Sequence, residues 1–341
     1  MKRFYVQWHI LDRCNQRCAH CYQSDFGPTR ELGWEGLKHI ADNMLEAMGA
    51  WNAKLDIALT GGEPLLKEEL FPLLAYLDSS NRIGRLSLIT NGTRLAERLD
   101  ALKELKRFTE VRISVDGATA GMHDCIRGKG AFAQTTKAIE AAKQAGIPVL
   151  LIFTVMKRNR EEALRMGDLC RKTGADGFIL ERFVPLGRGL GIRSEVLSGL
   201  EFLVLWNRLL DGLGLEATPE ELICYRGIKV VSEGKDRGAY GSECIVGSDG
   251  MAVLPDGMLY PCRRLEIPIG SLASERLTDL WKDSPVLQSL RDKAHIKGKC
   301  GGCAIEGCIG CRAMTHALTG DYLGADPHCW IDDSEETPSV Q

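Results

Sequence analysis

The stretch Asp12–Gln23 reads DRCNQRCAHCYQ and carries three thiols, Cys14, Cys18 and Cys21, in a polar setting. It follows directly on a short run, FYVQWHI at 4–10, that reads as a strand. Thiolates bind zinc or iron–sulfur clusters. A structural zinc site wants four closed ligands, and no fourth thiol or suitably spaced histidine pair is local. Three protein ligands on a four-iron cube leave one iron without a protein ligand, and an exposed iron is a reaction site.

Outward from this stretch, short apolar runs alternate with amphipathic ones. Strands are expected at 4–10, 55–60, 85–90, 110–115, 148–155 and 177–183. Helices are expected at 34–49, 67–78, 94–105, 131–146 and 160–174. Strict alternation implies parallel strands joined by crossover helices. Six such units predict an α/β fold, a partial (β/α)6 TIM-like barrel rather than a complete eight-fold one. In parallel barrels the chemistry sits at the C-terminal ends of the strands. Alternation fades near 184, where VPLGRGLGIRSE (184–195) is a glycine-rich connector, and one helix (about 199–213) bridges onward. From Cys244 the chain is rich in turns and cysteine, with little core of its own, the kind of region that needs metal to fold. The expected division is 1–190 for the barrel, 191–240 for a bridging region and 241–341 for a small cysteine-rich domain.

The 341 residues are 44% hydrophobic and 26% charged, an ordinary globular composition. A net charge of -3 predicts neither a nucleic-acid partner nor an anionic membrane surface. No apolar run approaches the roughly 18–20 residues of a spanning helix, and the start reaches charge and cysteine too soon for a signal peptide. A cytoplasmic location is expected. There the 13 cysteines are metal ligands more readily than disulfides. They cluster within 14–21 and 244–329, with Cys125, Cys170 and Cys224 standing alone.

C-x3-C-x2-C at the end of the first strand, with His20 at a position often aromatic, resembles the radical S-adenosylmethionine (SAM) superfamily. The resemblance implies that the open iron chelates the amino and carboxylate groups of SAM. One electron then cleaves SAM to methionine and a 5′-deoxyadenosyl radical, which takes a hydrogen atom from the substrate. The electron implies a reduced flavodoxin or ferredoxin-type donor. TGGEP (60–64) follows the second strand. Paired glycines let backbone approach a ligand closely, and the resemblance gives Gly61, Gly62 and Glu63 the methionine amino group. Asn91 in TNG and Ser114 and Asp116 in SVDG are short polar residues at strand ends, suited to ribose hydroxyls or a carboxylate. For Asn91 and Asp116, plain loop capping is an equal reading. The resemblance places Ser114 and Arg127 at the SAM carboxylate. Val155 and Leu186 border adenine or belong to the barrel core. His123 is local to the Arg127 loop, and Cys125 and Cys170 act as small, partly buried residues.

In the second field, GMLYPC gives G-x4-C at Gly257 and Cys262, and CGGCAIEGCIGC gives C-x2-C-x4-C-x2-C. This resembles the SPASM domain, which holds two auxiliary 4Fe–4S clusters in peptide-modifying radical SAM enzymes, although its last part is usually C-x5-C-x3-C. The match places Cys244, Cys262 and Cys311 on the first auxiliary cluster, and Cys300, Cys303, Cys308 and Cys329 on the second. Two cubes want eight ligands and this field offers seven. Either one iron is open or another group, such as Cys224, supplies the eighth. Paired C-x2-C spacings alone would also suit zinc.

The SPASM resemblance implies a peptide or protein substrate, modified by crosslinking, epimerisation or oxidation. Arg263 follows Cys262 where sulfatase-maturating enzymes carry an aspartate, which argues against that role. As an alternative, CRAMTHALTGDYLGADPHCW (311–330) also resembles the endings of radical SAM enzymes that modify tetrapyrrole side chains in alternative haem pathways. Arg263 and Arg264 are suited to face such carboxylates. A third reading is an electron or cluster carrier, which would have no use for the motifs after strands two and four.

Overall fold

The computed structural model describes residues 2–232 and 237–331. Six strands lie side by side and parallel in chain order: β1 (Lys2–His9), β2 (Ala53–Thr60), β3 (Ile83–Thr90), β4 (Phe108–Ser114), β5 (Val149–Val155) and β6 (Gly177–Arg182). Crossover helices join them, as the alternation requires. Trp34–Ala50 shows why the helices dock. Leu37, Ile40, Ala41, Met44, Ala47 and Met48 recur at helical spacing and are buried against the sheet. Each large side chain so buried stabilises by roughly 1.5–3 kcal/mol. The helix runs through Gly49 and stops where Asn52 turns to a φ of 48°.

Register decides where the site forms. β1 and β2 pair without a slip from Lys2↔Ala53 to His9↔Thr60. Both strands therefore leave the sheet at the same level, so the cysteine loop after β1 and the glycine pair after β2 emerge as neighbours.

The parallel core of six strands matches the α/β partial barrel expected. Three features differ. The sheet has eleven strands among the described residues. Beyond β6 lie β7 (Gly227–Val231) and β8 (Gly238–Ser242), both antiparallel to their neighbours. Beyond β1 lie β9 (Gly250–Val253), which is parallel to it, and then antiparallel β10 (Met258–Tyr260) and β11 (Gly270–Ser271). The C-terminal region is thus hydrogen-bonded into the barrel sheet.

Nor does that region lack a core. Helices Leu277–Asp283, Pro285–Arg291 and Arg312–Thr319 bury Leu277, Leu280, Leu287, Leu290 and Met314, and Trp281 packs edge-on to Phe4 of β1 at 4.8 Å. Finally, Ala120–Arg127 is a helix where the sequence suggested a loop, and Gly128 ends it at a φ of 115°. Among the described residues no helix is long and apolar enough to cross a membrane.

Candidate active site

A cavity of about 200 Å³ opens at the C-terminal ends of the parallel strands. Cys14, Cys18 and Cys21 line it together with His20, Gly61, Gly62, Asn91, Ser114 and Arg127. Glu63 and Asp116 stand behind this wall rather than in it.

Glycine is required after β2. Gly62 N–H donates to Leu11 O (3.0 Å) and Glu63 N–H to Arg13 O (2.8 Å), which ties the GGE turn to the chain entering the cysteine loop. A Cβ on Gly62 would lie 2.2 Å from Arg13 O and 2.4 Å from Asp12 O. Gly61 has a φ of 148°, and a Cβ there would meet Leu11 O at 2.3 Å. Both obstacles are backbone, which cannot swing aside. Gly62→Ala is therefore expected to displace the cysteine loop, lowering stability by about 1–3 kcal/mol and removing iron from this loop. Iron content and melting temperature measured on the variant check this; parental iron content would contradict it.

A second glycine pair, which the sequence reading treated only as a connector, clamps the other side of the loop. Gly189 N–H donates to Cys21 O (3.0 Å) and Arg188 N–H to Gln23 O (3.2 Å). Gly187 has a φ of 52° and sits where a Cβ would strike Tyr22 O at 2.3 Å. The signal was available: Gly187 and Gly189 come soon after β6, which ends at Arg182, much as Gly61 and Gly62 follow β2. Leu186 packs with Val184 and Met314, and Val155 is fully buried in the main core, so both serve packing.

The sulfurs have the donors that cluster thiolates use. Gln16 N–H donates to Cys14 Sγ (3.4 Å), Gln23 N–H to Cys21 Sγ (3.5 Å), and Arg127 Nη1 lies 3.8 Å from Cys18 Sγ. Burial pushes the Cys14 thiol up to about 11. To be held here as a thiolate, Cys14 would need a cation beside it to offset that burial.

Asp116 is fully buried and organises the far wall. His20 Nε2 and Arg127 Nε each bond Asp116 Oδ2 at 2.6 Å, and Thr154 N–H donates to Oδ1 (2.9 Å). Burial alone would raise this carboxyl, but the charge of Arg127 and the hydrogen bonds from His20 and Thr154 N–H outweigh it and hold it well below the usual range. His123, also buried, accepts the Asp116 N–H at Nδ1 (3.3 Å), and burial followed by the Arg127 charge lowers it to about 4.

Glu63 is likewise enclosed. It accepts from Leu65 N–H (3.1 Å), Thr90 Oγ1 (2.7 Å) and Asn91 N–H (2.8 Å), pinning the end of β3 to the end of β2. Asn91 Nδ2 in turn donates to Asn15 Oδ1 in the cysteine loop (2.8 Å). Of the lone cysteines, Cys170 is buried and Cys125 is exposed.

In the C-terminal field, Cys300, Cys303, Cys308 and Cys329 line one cavity of about 370 Å³. Here Asp326 N–H donates to Cys300 Sγ (3.2 Å) and Ile305 N–H to Cys303 Sγ (3.5 Å). Cys244 faces Cys311 and Cys262 as a separate group. Cys224 lies within hydrogen-bonding reach of Cys308, on the side of the four-thiol group rather than that of Cys262. Both groups and the N-terminal loop offer thiols with backbone donors or enclosed space, which fits iron–sulfur cubes. Arg263 connects the two regions. It follows Cys262, and its guanidinium stacks 4.3 Å over the ring of Tyr22, the residue after Cys21.

Comparison with known proteins agrees with this architecture. The Radical SAM superfamily profile matches residues 8–170, and that of SPASM, an iron–sulfur cluster-binding domain, matches 244–304. The AdoMet-dependent heme synthase of Methanosarcina barkeri is 30% identical over 339 residues, covering 95% of both chains. The mycofactocin maturase MftC of Mycobacterium ulcerans is 28% identical, covering 95% of this chain and 87% of its own. The structure of anSMEcpe with bound AdoMet superposes with a TM-score of 0.72 at 19% identity, over 95% of this chain and 93% of that one. The chain belongs to the radical SAM superfamily and carries a SPASM domain. It is an enzyme whose cofactors are 4Fe–4S clusters and SAM.

Proposed function

We propose that the enzyme cleaves SAM at the Cys14–Cys18–Cys21 loop and directs hydrogen abstraction to a substrate bearing several carboxylates, a tetrapyrrole with acetate or propionate side chains. One observation carries this reading. The cavity wall holds five arginines, Arg112, Arg127, Arg182, Arg263 and Arg264, and one acid, Glu181. Arginine is suited to bidentate recognition of carboxylates. Arg127 pairs with Asp116, Arg112 with Glu110, Arg263 with Glu266 and Arg264 with Glu181, but Glu110, Asp116 and Glu266 lie outside the cavity lining, so the wall itself stays cationic. Arg182 and Arg263 each keep a buried Nε with no hydrogen-bond partner among the described residues. The M. barkeri relative supports the reading because it matches along nearly its whole length.

A second reading is a peptide or protein substrate. It is supported by MftC, named a maturase and matched over 95% of this chain.

In either case the residues divide the work in the same way. Cys14, Cys18 and Cys21 would hold the SAM-binding cluster. With SAM bound, that cofactor pair supplies a 5′-deoxyadenosyl radical by one-electron cleavage. Gly61 and Gly62 would present backbone to the methionine amino group. Ser114 and Arg127 would meet its carboxylate, and His20 and Asn91 complete the cavity wall. Glu63 and Asp116 act as positioning residues: the first fixes Thr90 and Asn91, the second fixes His20 and Arg127. Cys300, Cys303, Cys308 and Cys329 would hold one auxiliary cluster, and Cys244, Cys262 and Cys311 the other. A reduced flavodoxin or ferredoxin-type protein would supply the electron.

The test incubates reduced, reconstituted enzyme with SAM and offers porphyrin precursors and candidate peptides in parallel. The proposal predicts 5′-deoxyadenosine and a mass change on the tetrapyrrole. A mass change on a peptide alone would establish the second reading. No 5′-deoxyadenosine under any condition would contradict both and leave a carrier.

A further inference from the structure

Arg226 stands between the two groups of C-terminal thiols. Its Nη2 lies 3.7 Å from Cys308 Sγ in the four-thiol group, and its backbone bonds Ser242, on the strand that leads into Cys244 of the other group, near enough for Cys311 and Cys244 to favour its charge. The position is fixed from several sides. Arg226 N–H donates to Ser242 O (2.7 Å) and Nη1 to Ile223 O (2.7 Å), and β7 begins at the next residue. Its Nε is buried and has no hydrogen-bond partner among the described residues.

The hydrogen bonds of this guanidinium go to Ile223 O and Cys308 Sγ rather than to a carboxylate. Asp326 is close, but its two oxygens accept from the backbone N–H groups of Cys311 (2.6 Å) and His328 (2.9 Å). A second cation, Arg182, faces Cys311 and Cys308 as well and donates from Nη2 to Tyr225 O (2.9 Å). Enclosed arginines without a counter-ion are strongly destabilising unless an anion completes the site. Thiolate-bound iron–sulfur cubes are anions, and reduction makes each more negative by one charge.

We propose that the Arg226 guanidinium serves both auxiliary clusters, holding the reduction potential of each above the value it would have without this charge. In the step concerned, a cluster takes one electron from the external donor. No proton moves and no bond to the protein forms or breaks. The fixed guanidinium favours the more negative, reduced state of both cubes. Arg226 lies in the region between the barrel and the cysteine field and belongs to neither cysteine motif, so its role follows from its placement alone. The inference rests on both thiol groups being iron–sulfur sites, which iron and sulfide counts read separately from potential.

The experiment is a potentiometric EPR titration of the anaerobic holoenzyme, without substrate, using dithionite and mediators. Arg226→Gln is expected to keep parental iron and sulfide and to lower both auxiliary midpoints. Each should fall by at least a tenfold change in the oxidised-to-reduced ratio, about 59 mV for one electron. The cluster on Cys14, Cys18 and Cys21 should keep its midpoint. Arg226→Lys, which retains the charge, should stay near the parent. Unchanged midpoints in the glutamine variant, a fall in only one auxiliary cluster, or equal falls in both variants would overturn the proposal. If the glutamine variant loses iron, the lysine variant decides: parental midpoints support the proposal and a tenfold fall overturns it. Loss of iron from both variants would make Arg226 a structural residue and would also overturn it. Parental protein lacking sulfide would instead refute the underlying site assignment.

Discussion

Replacing Cys14, Cys18 and Cys21 together by alanine is expected to reduce 5′-deoxyadenosine formation to background while the C-terminal clusters remain bound. The physical reason is separation. The three thiols ring the cavity at the strand ends, whereas Cys300, Cys303, Cys308 and Cys329 ring a different one. The backbone that carries the first set is held by the GGE turn and by Gly189 rather than by the C-terminal thiols. The variant should therefore fold, lose one cube's worth of iron and sulfide, and keep the rest. Iron analysis and product chromatography read both halves. Loss of all iron would contradict the separation of the sites.

Asp116→Asn is expected to have the second largest effect. The substitution keeps shape but removes the charge that holds His20 and Arg127. Arg127 would then be a buried cation without its carboxylate partner, left with Cys18 Sγ alone, and breaking a buried pair in this way costs up to about 3–5 kcal/mol. SAM affinity should fall roughly 10–100-fold, by analogy with the cost of removing a partner that orients a metal ligand. A lowered urea midpoint together with weaker SAM binding by equilibrium dialysis would bear this out. Parental values for both would show that Asp116 merely caps its loop.

Some of this was legible in the sequence because the physics is local. β1 to β6 announce themselves by apolar runs such as VLLIFTV, buried along β5. The cysteine spacing and the GGE turn fall where strands end, so chain order alone brings them close. What was missed is non-local or directional. β8 (GAYGS) and β11 (GS) are too short and too rich in glycine to show a period, and only pairing with neighbouring strands makes them part of the sheet. Glu63 and Asp116 were recognisable as important, but their side chains turn inward to spend their oxygens on protein donors. The glycine pair of GRG at 187–189 looked like a linker because its contact, the Tyr22 carbonyl, is distant in sequence.

On the assignment proposed above, three cysteines leave one iron of a cube open for SAM. The most direct measurement is Mössbauer spectroscopy of the anaerobically purified enzyme, with iron-57 in its clusters, recorded with and without SAM and accompanied by metal and acid-labile sulfide analysis. Equal iron and sulfide are expected, with one iron site whose isomer shift moves when SAM binds, a change absent from the Cys14–Cys18–Cys21 alanine variant. Zinc in place of iron with no acid-labile sulfide, or clusters indifferent to SAM, would contradict it.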